Sequence, residues 1–298
     1  MNLDKSTLEG LTRKERRDLS REVARMKREE EQRRRKRNRL LRWVMIAVGG
    51  GAVLAIGTLL IINAVRASQI GPANMISDGV VLRGDGSTLT AVPSAALQPG
   101  EQPVATAPDP TGALMSVTEY FDYGSEDSAI FDTTNGANLQ GWSQAGYVSL
   151  ELHPVALLDD QDGGYSTRAA NALACVADTI PNGVIAVHNA LIAAQADLDA
   201  DGLSNDELVG IITKTGIENE TVTGCVRAGE FADWVSAATI RARESVPNSD
   251  IAALKEVPLV LVNQIAWTGA VDDADAFAKY VSGSYSIVGG SGANAPGQ

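Results

Sequence analysis

The 298-residue sequence is poor in the side chains that most often carry out enzyme chemistry. It contains two cysteines and two histidines, and aromatic residues make up 5% of it. The cysteines, Cys175 and Cys225, lie 50 positions apart, which excludes a CxxC motif of either the redox or the zinc-binding kind. His153 and His188 are too few and too isolated in the sequence to indicate a zinc site.

Positive charge is nearly missing from the larger part of the chain. Residues 67–298 hold 8 Lys and Arg against 29 Asp and Glu, whereas residues 1–42 hold 16 against 8. Two parts of opposite sign suit different surroundings, which argues against a soluble enzyme of a single compartment. The acidic part also lacks a Gly-rich phosphate loop, and its charge disfavours phosphate-bearing partners.

Residues 43–65 (WVMIAVGGGAVLAIGTLLIINAV) carry no charged side chain. As a helix they would span roughly 34 Å at about 1.5 Å per residue, enough to cross a hydrocarbon core of about 30 Å. A signal peptide would have a shorter apolar region and would not follow more than forty residues. The sequence therefore predicts a single transmembrane helix. The positive-inside rule then predicts a cytoplasmic N-terminus and an extracytoplasmic C-terminal domain in the cell membrane.

The segment 1–42 before this span is predicted to be a basic, cytoplasmic and helical segment. Nearly all of its basic residues lie between positions 13 and 42. Nucleic acid is one partner for such a run, but anionic lipid of the inner leaflet is the simpler one, at about 1 kcal/mol for each basic residue near the surface. We therefore expect lipid contact through residues 13–42 and no nucleic-acid binding.

Composition divides the outer part into three segments. Residues 66–111 are rich in proline and small polar residues, which is typical of a linker, with a short β-hairpin around positions 84–86. Residues 112–284 alternate strand and helix patterns in the order expected of one α/β domain. The Gly- and Ser-rich residues 285–298 are predicted to be a flexible tail.

The order of motifs in residues 114–283 resembles the DsbA-like branch of the thioredoxin fold, in the membrane-anchored form common in actinobacteria. The resemblance implies a thioredoxin-like domain with a helical insertion at about 160–245 and a cis-proline at Pro258. The motifs that carry it are EYFDY at 119–123, YSTRAANA at 165–172, CVA at 175–177, HNAL at 188–191, GCV at 224–226 and VP at 257–258.

The sequence departs from this family at its active-site motif. Where the family has Cys-Pro-x-Cys, this chain has Ser125, Glu126, Asp127 and Ser128. A serine hydroxyl cannot form the low-pKa thiolate that dithiol exchange needs. The four residues and Pro258 are therefore predicted to be a degenerate site with no catalytic residue. Ser125 acting as a nucleophile with a histidine as its base is a much weaker alternative.

Cys175 and Cys225 are open to two interpretations. An even number of widely spaced cysteines in an exported domain favours one structural disulfide, and two free buried thiols are the alternative. The family resemblance favours the disulfide, because both residues fall in the helical insertion.

An acidic run, Asp197, Asp199 and Asp201 followed by glycine, has the alternating spacing of a calcium loop. However, the twelfth position, where a closing glutamate belongs, is Leu208. Residues 204–207 (SNDE) also form a good helix capping box. A solvated loop that opens a helix is favoured over a calcium site, and no other cofactor is expected.

Taken together, the sequence predicts a redox-inactive, membrane-anchored thioredoxin-like protein that is not an enzyme and acts by binding other proteins. The role predicted first is an accessory or structural subunit of a membrane protein complex in the cell envelope, for example a respiratory one. The alternatives are an extracytoplasmic chaperone or assembly factor, and a thiol–disulfide oxidoreductase that uses Cys175 and Cys225.

Overall fold

The computed structural model describes Arg25 and residues 70–290, with side chains up to Tyr285. Within these residues no helix is both long enough and apolar enough to cross a membrane. The predicted span at 43–65 and the predicted lipid-binding residues 13–42, apart from Arg25, lie outside the described residues, as does the end of the predicted tail.

The described residues form one mixed β-sheet. In the sequence, the α-helices lie between its strands and after the last of them. The strands are β1 (Val80–Gly84), β2 (Leu89–Ala91), β3 (Met115–Phe121), β4 (Val148–Pro154), β5 (Leu259–Val262) and β6 (Ile265–Ala266). The helices are α1 (Glu126–Gln144), α2 (Tyr165–Thr179), α3 (Val184–Ala194), α4 (Asn205–Lys214), α5 (Glu220–Ala228), α6 (Ala232–Glu244) and α7 (Ala274–Gly290).

The centre of the sheet is a parallel pair, β3 and β4, joined by helix α1. The strand order is β2-β1-β4-β3-β5-β6, and every other pairing is antiparallel. A parallel pair needs a crossover connection, which α1 supplies. All seven residues of β4 are buried, because the strand has neighbours on both edges and cover on both faces. Helices α2 to α6 form the insertion between β4 and β5.

The two faces of the sheet differ in chemistry. On β3, Val117, Glu119 and Phe121 alternate with Ser116, Thr118 and Tyr120, so that the second set lies on the opposite face. The register places Tyr120 beside His153 of β4. The first face packs into the main hydrophobic core, whereas the second presents hydroxyl groups, Glu151 and His153.

The Pro-rich segment is where the structure differs most from the sequence prediction. Residues 70–111, predicted to be a linker, pack onto the domain: Met75 and Leu82 are buried, and β1 joins the sheet beside β4. Asn74 Nδ2 donates to the Ala177 carbonyl of α2 at 2.8 Å, and Arg241 of α6 holds Asp78. The prediction failed because a Pro-rich composition cannot show that scattered apolar side chains find buried positions. Strands β1 and β2 pair where the hairpin is predicted.

Candidate functional site

The turn between β3 and α1 carries the Ser-Glu-Asp-Ser motif. Ser125 is the N-cap of α1, and its Oγ accepts a hydrogen bond from the Ser128 backbone N–H at 3.2 Å. Glu126 and Asp127 are exposed in the first turn of the helix, where negative charge is favourable. Ser128 is buried, and its Oγ accepts from the Asp122 N–H at 3.3 Å. The two serines therefore act here as capping and turn-stabilising residues.

Asp122 connects this turn to the helical insertion. Its carboxylate accepts from the N–H of Gly124 at 2.8 Å and from the N–H of Leu158 at 3.0 Å. The Ser166 hydroxyl lies against both Asp122 Oδ1 and Asp162 Oδ2. Burial raises the pKa of Asp122, although the hydrogen bonds from Ser166, Gly124 and Leu158 oppose the rise. Two carboxyl groups and one hydroxyl thus join the turn to the start of α2.

Gly124 has no room for a side chain at this junction. A Cβ there would lie 2.4 Å from Asp162 Oδ2 and 2.8 Å from Ser166 Oγ, both of which are held by hydrogen bonds. We expect Gly124→Ala to lower the free energy of unfolding by about 1–3 kcal/mol, as overpacking does elsewhere. Urea denaturation measures it. Gly210→Ala, at a helical position with nothing within 4 Å, is the matched control and should be neutral or stabilising. Equal effects at the two positions would contradict the crowding.

Both histidines are buried and already have partners. His188 of α3 contacts the Tyr123 hydroxyl through Nδ1 at 3.1 Å, and its Nε2 lies 3.3 Å from Asp132 Oδ2. His153 lies on β4, with Nε2 3.1 Å from Glu151 Oε1. Ser125 Oγ is engaged in capping the helix, and no hydrogen bond joins it to either histidine in the described residues. The weak alternative of a Ser125 nucleophile is therefore not supported.

Pro258 stands at the same edge of the sheet as this turn. The Val257–Pro258 peptide bond is cis, as the family resemblance implies. The next residue, Leu259, pairs with Tyr120, two residues before Asp122. Lys255 and Glu256 just before it are exposed. The arrangement of a helix N-terminus and a cis-proline at one sheet edge is thus present, with serine in both cysteine positions.

The predicted disulfide between Cys175 and Cys225 is confirmed. It joins α2 to α5 with a Cα–Cα distance of 5.9 Å, and there is no free cysteine among the described residues. Cys175 is fully buried, whereas Cys225 is 7% exposed. Asn171 Oδ1, one helical turn before Cys175, lies 3.9 Å from its sulfur and accepts from the Phe231 N–H at 2.8 Å. Both cysteines are therefore buried, and Cys225 is the less buried residue of the two.

The acidic run does not assemble into a metal site. In the described ranges no group of three or more His, Cys, Asp or Glu side chains is placed to hold an ion, so Asp197, Asp199 and Asp201 do not converge. Instead, Asp199 Oδ1 accepts from the Asp201 N–H at 3.0 Å, and the Asp201 carbonyl accepts from Arg168 at 2.7 Å. The capping box at Ser204 and Glu207 is present.

Sequence reasoning missed the residues that support the turn from other elements. Asp162 and Ser166 are distant from the motif in sequence and show no spacing pattern of their own. A buried polar residue is visible in a sequence only when it interrupts an apolar pattern. Glu119 within the strand MSVTEYF is the one clear case of this kind.

Comparisons with known proteins give a likeness of fold. The chain is similar to DsbG, a disulfide bond oxidoreductase from Mycobacterium tuberculosis in its reduced form, with 21% identity over 73% of this chain and 95% of that chain and a TM-score of 0.51. It is also similar to oxidised BdbD from Bacillus subtilis, with 17% identity over 73% and 98% of the chains and a TM-score of 0.51. No family model and no curated protein matches the sequence. The mixed α/β, thioredoxin-like DsbA fold is thereby confirmed.

These findings correct the predicted function. The chain was predicted to be a redox-inactive accessory subunit and not an enzyme, because the turn at 125–128 has no thiol. The protein named as a disulfide bond oxidoreductase shares its fold, and this chain holds a disulfide in its insertion. The prediction is therefore wrong, because it gave the missing thiols at the turn more weight than the two cysteines of the insertion. The oxidoreductase alternative fits the findings better.

Proposed function

We propose that this protein is a thiol–disulfide oxidoreductase whose redox couple is Cys175–Cys225. The observation that supports it is a formed disulfide within a DsbA-like fold, in which Cys225 is less buried than Cys175. The turn at Ser125 supplies no thiol. Exchange with a substrate therefore has to proceed through the cysteines of α2 and α5.

Cys225 is the residue that we expect a substrate to attack, because it is the less buried of the two cysteines. A substrate thiolate attacks Cys225 Sγ, a mixed disulfide forms, and the bond to Cys175 breaks with Cys175 leaving as a thiolate that takes up a proton. A second substrate thiolate then attacks the substrate sulfur of the mixed disulfide and displaces the Cys225 thiolate. The substrate dithiol loses two electrons and becomes a disulfide, and the protein is left with two thiols. Exchange with a small-molecule disulfide in excess then oxidises the two protein thiols back to the Cys175–Cys225 disulfide.

Asn171 fits the role of a positioning residue for the leaving sulfur. Its Oδ1 lies 3.9 Å from the Cys175 sulfur, and the hydrogen bond from Phe231 fixes its direction. A carbonyl oxygen here accepts from a thiol S–H and disfavours a thiolate, because both would place negative charge together. The arrangement favours protonation of Cys175 once the disulfide has opened.

The experiment is a stoichiometric oxidation of a reduced dithiol peptide by the full chain. We expect one peptide disulfide to form for each protein disulfide that is reduced, and a mixed disulfide at residue 225 when the peptide carries a single cysteine, both read by mass spectrometry. The Cys225→Ser and Cys175→Ala variants should not oxidise the peptide, whereas Ser125→Ala should keep the wild-type rate. An oxidised chain that leaves the peptide reduced after prolonged incubation would overturn the proposal.

The location that goes with this function is outside the cell membrane. It is supported by the uncharged residues 43–65, by the basic residues before them and by a disulfide, which persists in oxidising compartments. In this arrangement residues 13–42 contact anionic lipid of the inner leaflet. Protease added to intact cells should remove the C-terminal domain and leave residues 1–42 protected. Full protection of both parts would contradict this orientation.

A further inference from the structure

A cleft of about 220 Å³ lies on the polar face of the sheet, away from the disulfide. Its floor is formed by the ends of β3 and β4, and its walls by α6 and the segment before β1. The side chains that matter to its chemistry are Ser77, Asp78, Tyr120, His153, Arg241 and Glu244. None of them belongs to the turn at Ser125 or to the Cys175–Cys225 couple.

The floor of this cleft is an aromatic surface with a buried carboxylate beside it. Tyr120 and His153 stack with ring centroids 4.4 Å apart. Glu151 lies two residues before His153 on the same face of β4, outside the cleft lining, and its Oε1 accepts from Ser77 Oγ at 2.6 Å and Thr106 Oγ1 at 2.8 Å. Burial acts to raise the pKa of Glu151, but His153 and the hydroxyl hydrogen bonds outweigh it and lower the pKa. The carboxylate therefore remains ionised near neutral pH.

The rim adds more negative than positive charge. The Arg241 guanidinium donates to both oxygens of Asp78 at 2.6 Å, so that each neutralises the other. Glu244 at the mouth is exposed. Since Arg241 is already bidentate to a carboxylate, it is poorly placed to bind an anionic ligand. Glu151 lies outside the lining and is paired with His153, so the remaining charge at the rim is that of Glu244, and it favours a cation.

The walls between floor and rim are apolar and suit an aliphatic stem. They are lined by Pro103, Val155, Ala238, Ala242 and Pro247. An ammonium group on a flexible alkyl chain would place its stem against these residues and its charge over an aromatic ring, which is a favourable arrangement. The acidic balance of residues 67–298 also draws cations toward the domain.

We propose that this cleft binds the side chain of a lysine in an extended polypeptide. A lysine side chain and a free alkylamine have the same ammonium group and alkyl stem, so either could enter the cleft. The polypeptide is favoured because the cleft opens beside the exposed residues Glu244 and Ser245, where a main chain can pass. The site is independent of the disulfide chemistry and would accept polypeptides without cysteine.

The test is isothermal titration of the full chain with an acetylated and amidated hexapeptide, Gly-Ser-Ala-Lys-Ala-Ser, at low salt. The comparison peptides carry norleucine or glutamate in place of lysine, and n-butylamine represents the free amine. We expect the lysine peptide to bind at least about ten-fold tighter than the norleucine peptide, and to weaken as salt is added. Binding of the glutamate peptide should not be detected. Because no probe contains cysteine, failure here would leave the proposed exchange reaction unaffected.

Two exposed positions locate the binding without disturbing the core. Glu244→Gln should weaken binding by about two- to five-fold, the range for an exposed charge pair, whereas Glu230→Gln, exposed but outside the cleft, should leave it unchanged. Ser245→Trp at the mouth should abolish binding while circular dichroism remains that of the wild type. Equal affinity for the lysine and norleucine peptides would overturn the proposal. So would binding that survives Ser245→Trp, or n-butylamine binding as tightly as the lysine peptide.

Discussion

Replacing Cys175 and Cys225 together by alanine is expected to lower the free energy of unfolding by about 4 kcal/mol. The disulfide closes a segment with a sequence separation of 50. In the chain-entropy description, a cross-link over a loop of that length removes disorder from the unfolded chain equivalent to about 4 kcal/mol. Since small domains are stable by about 5–15 kcal/mol, this is a large share of the total.

Urea denaturation of the full chain, followed by tryptophan fluorescence, measures this loss. The Cys225→Ala single variant separates two contributions, because it removes the cross-link but keeps Cys175 in its buried position. It should lose nearly as much stability as the double variant. Wild-type protein unfolded in the presence of a reducing agent should match both. A loss below about 1 kcal/mol in all three cases would show that the disulfide does not constrain the unfolded chain.

The same variants bear on the proposed exchange. If the disulfide stabilises the fold strongly, its reduction by a substrate has a corresponding cost, and the oxidised protein is a weak oxidant. The reduced state would then be expected to fluctuate more in α5, whose link to α2 is lost. Hydrogen exchange of α5 in the oxidised and reduced chain measures how much of the stabilisation is local to the insertion.

Local sequence patterns were sufficient for the elements that lie near the site. The alternation in MSVTEYF is typical of a strand, and β3 covers these residues; the acidic Glu126 and Asp127 favour a helix N-terminus, and α1 begins there. Glu119, a charged residue among the apolar positions of that strand, is also visible in the sequence. These predictions succeed because strand alternation and helix capping depend on residues within a few positions of one another.

Features that depend on distant contacts were not predictable in this way. Residues 70–111 look like a linker because proline and small residues dominate, yet Met75 and Leu97 lie in buried positions. The bond between Asp122 and Ser166 joins residues 44 positions apart. The stacking of Tyr120 on His153 depends on the register of β3 with β4. No local pattern determines such a register or such a contact.

The functional error has the same origin. Serine at positions 125 and 128 correctly excludes thiol chemistry at the turn, but it says nothing about the remaining cysteines. Whether Cys225 is reachable depends on how α5 packs against α2, and this packing is tertiary. The absence of cysteines at the turn therefore does not imply the absence of redox chemistry elsewhere in the domain.

Glu119→Gln is expected to change how stability depends on pH. Glu119 lies on β3 with its carboxyl group fully buried, and neither oxygen has a hydrogen-bond partner in the described part of the chain. Burial raises its pKa well above the usual value, and the nearby Asp132 carboxylate raises it further. His188 lies on the other side of Asp132, at 3.3 Å. The folded protein therefore holds a proton on Glu119 at pH values where the unfolded chain has released it.

The sign of the effect follows from this difference in bound protons. Above the unfolded pKa of about 4.3, the folded state binds more protons than the unfolded state, so stability falls as pH rises. The slope from this one group is at most about 1.4 kcal/mol per pH unit, and it persists until the folded pKa is reached. Glutamine keeps the shape of the side chain but does not titrate, and its amide can donate to Asp132. The variant should therefore lack this slope and gain stability over the wild type as pH rises.

The measurement is urea denaturation of wild type and Glu119→Gln at intervals from pH 4 to pH 8. We expect the stability of Glu119→Gln relative to the wild type to be lowest near pH 4 and to rise with pH until the folded pKa of Glu119 is reached. The buried Asp122, whose pKa is also raised, contributes equally to both proteins and cancels in the difference. Glu256→Gln, at an exposed position before β5, is the control for removing one negative charge, and its stability should run parallel to that of the wild type. If the stability of Glu119→Gln also runs parallel to that of the wild type, Glu119 is ionised in the folded protein.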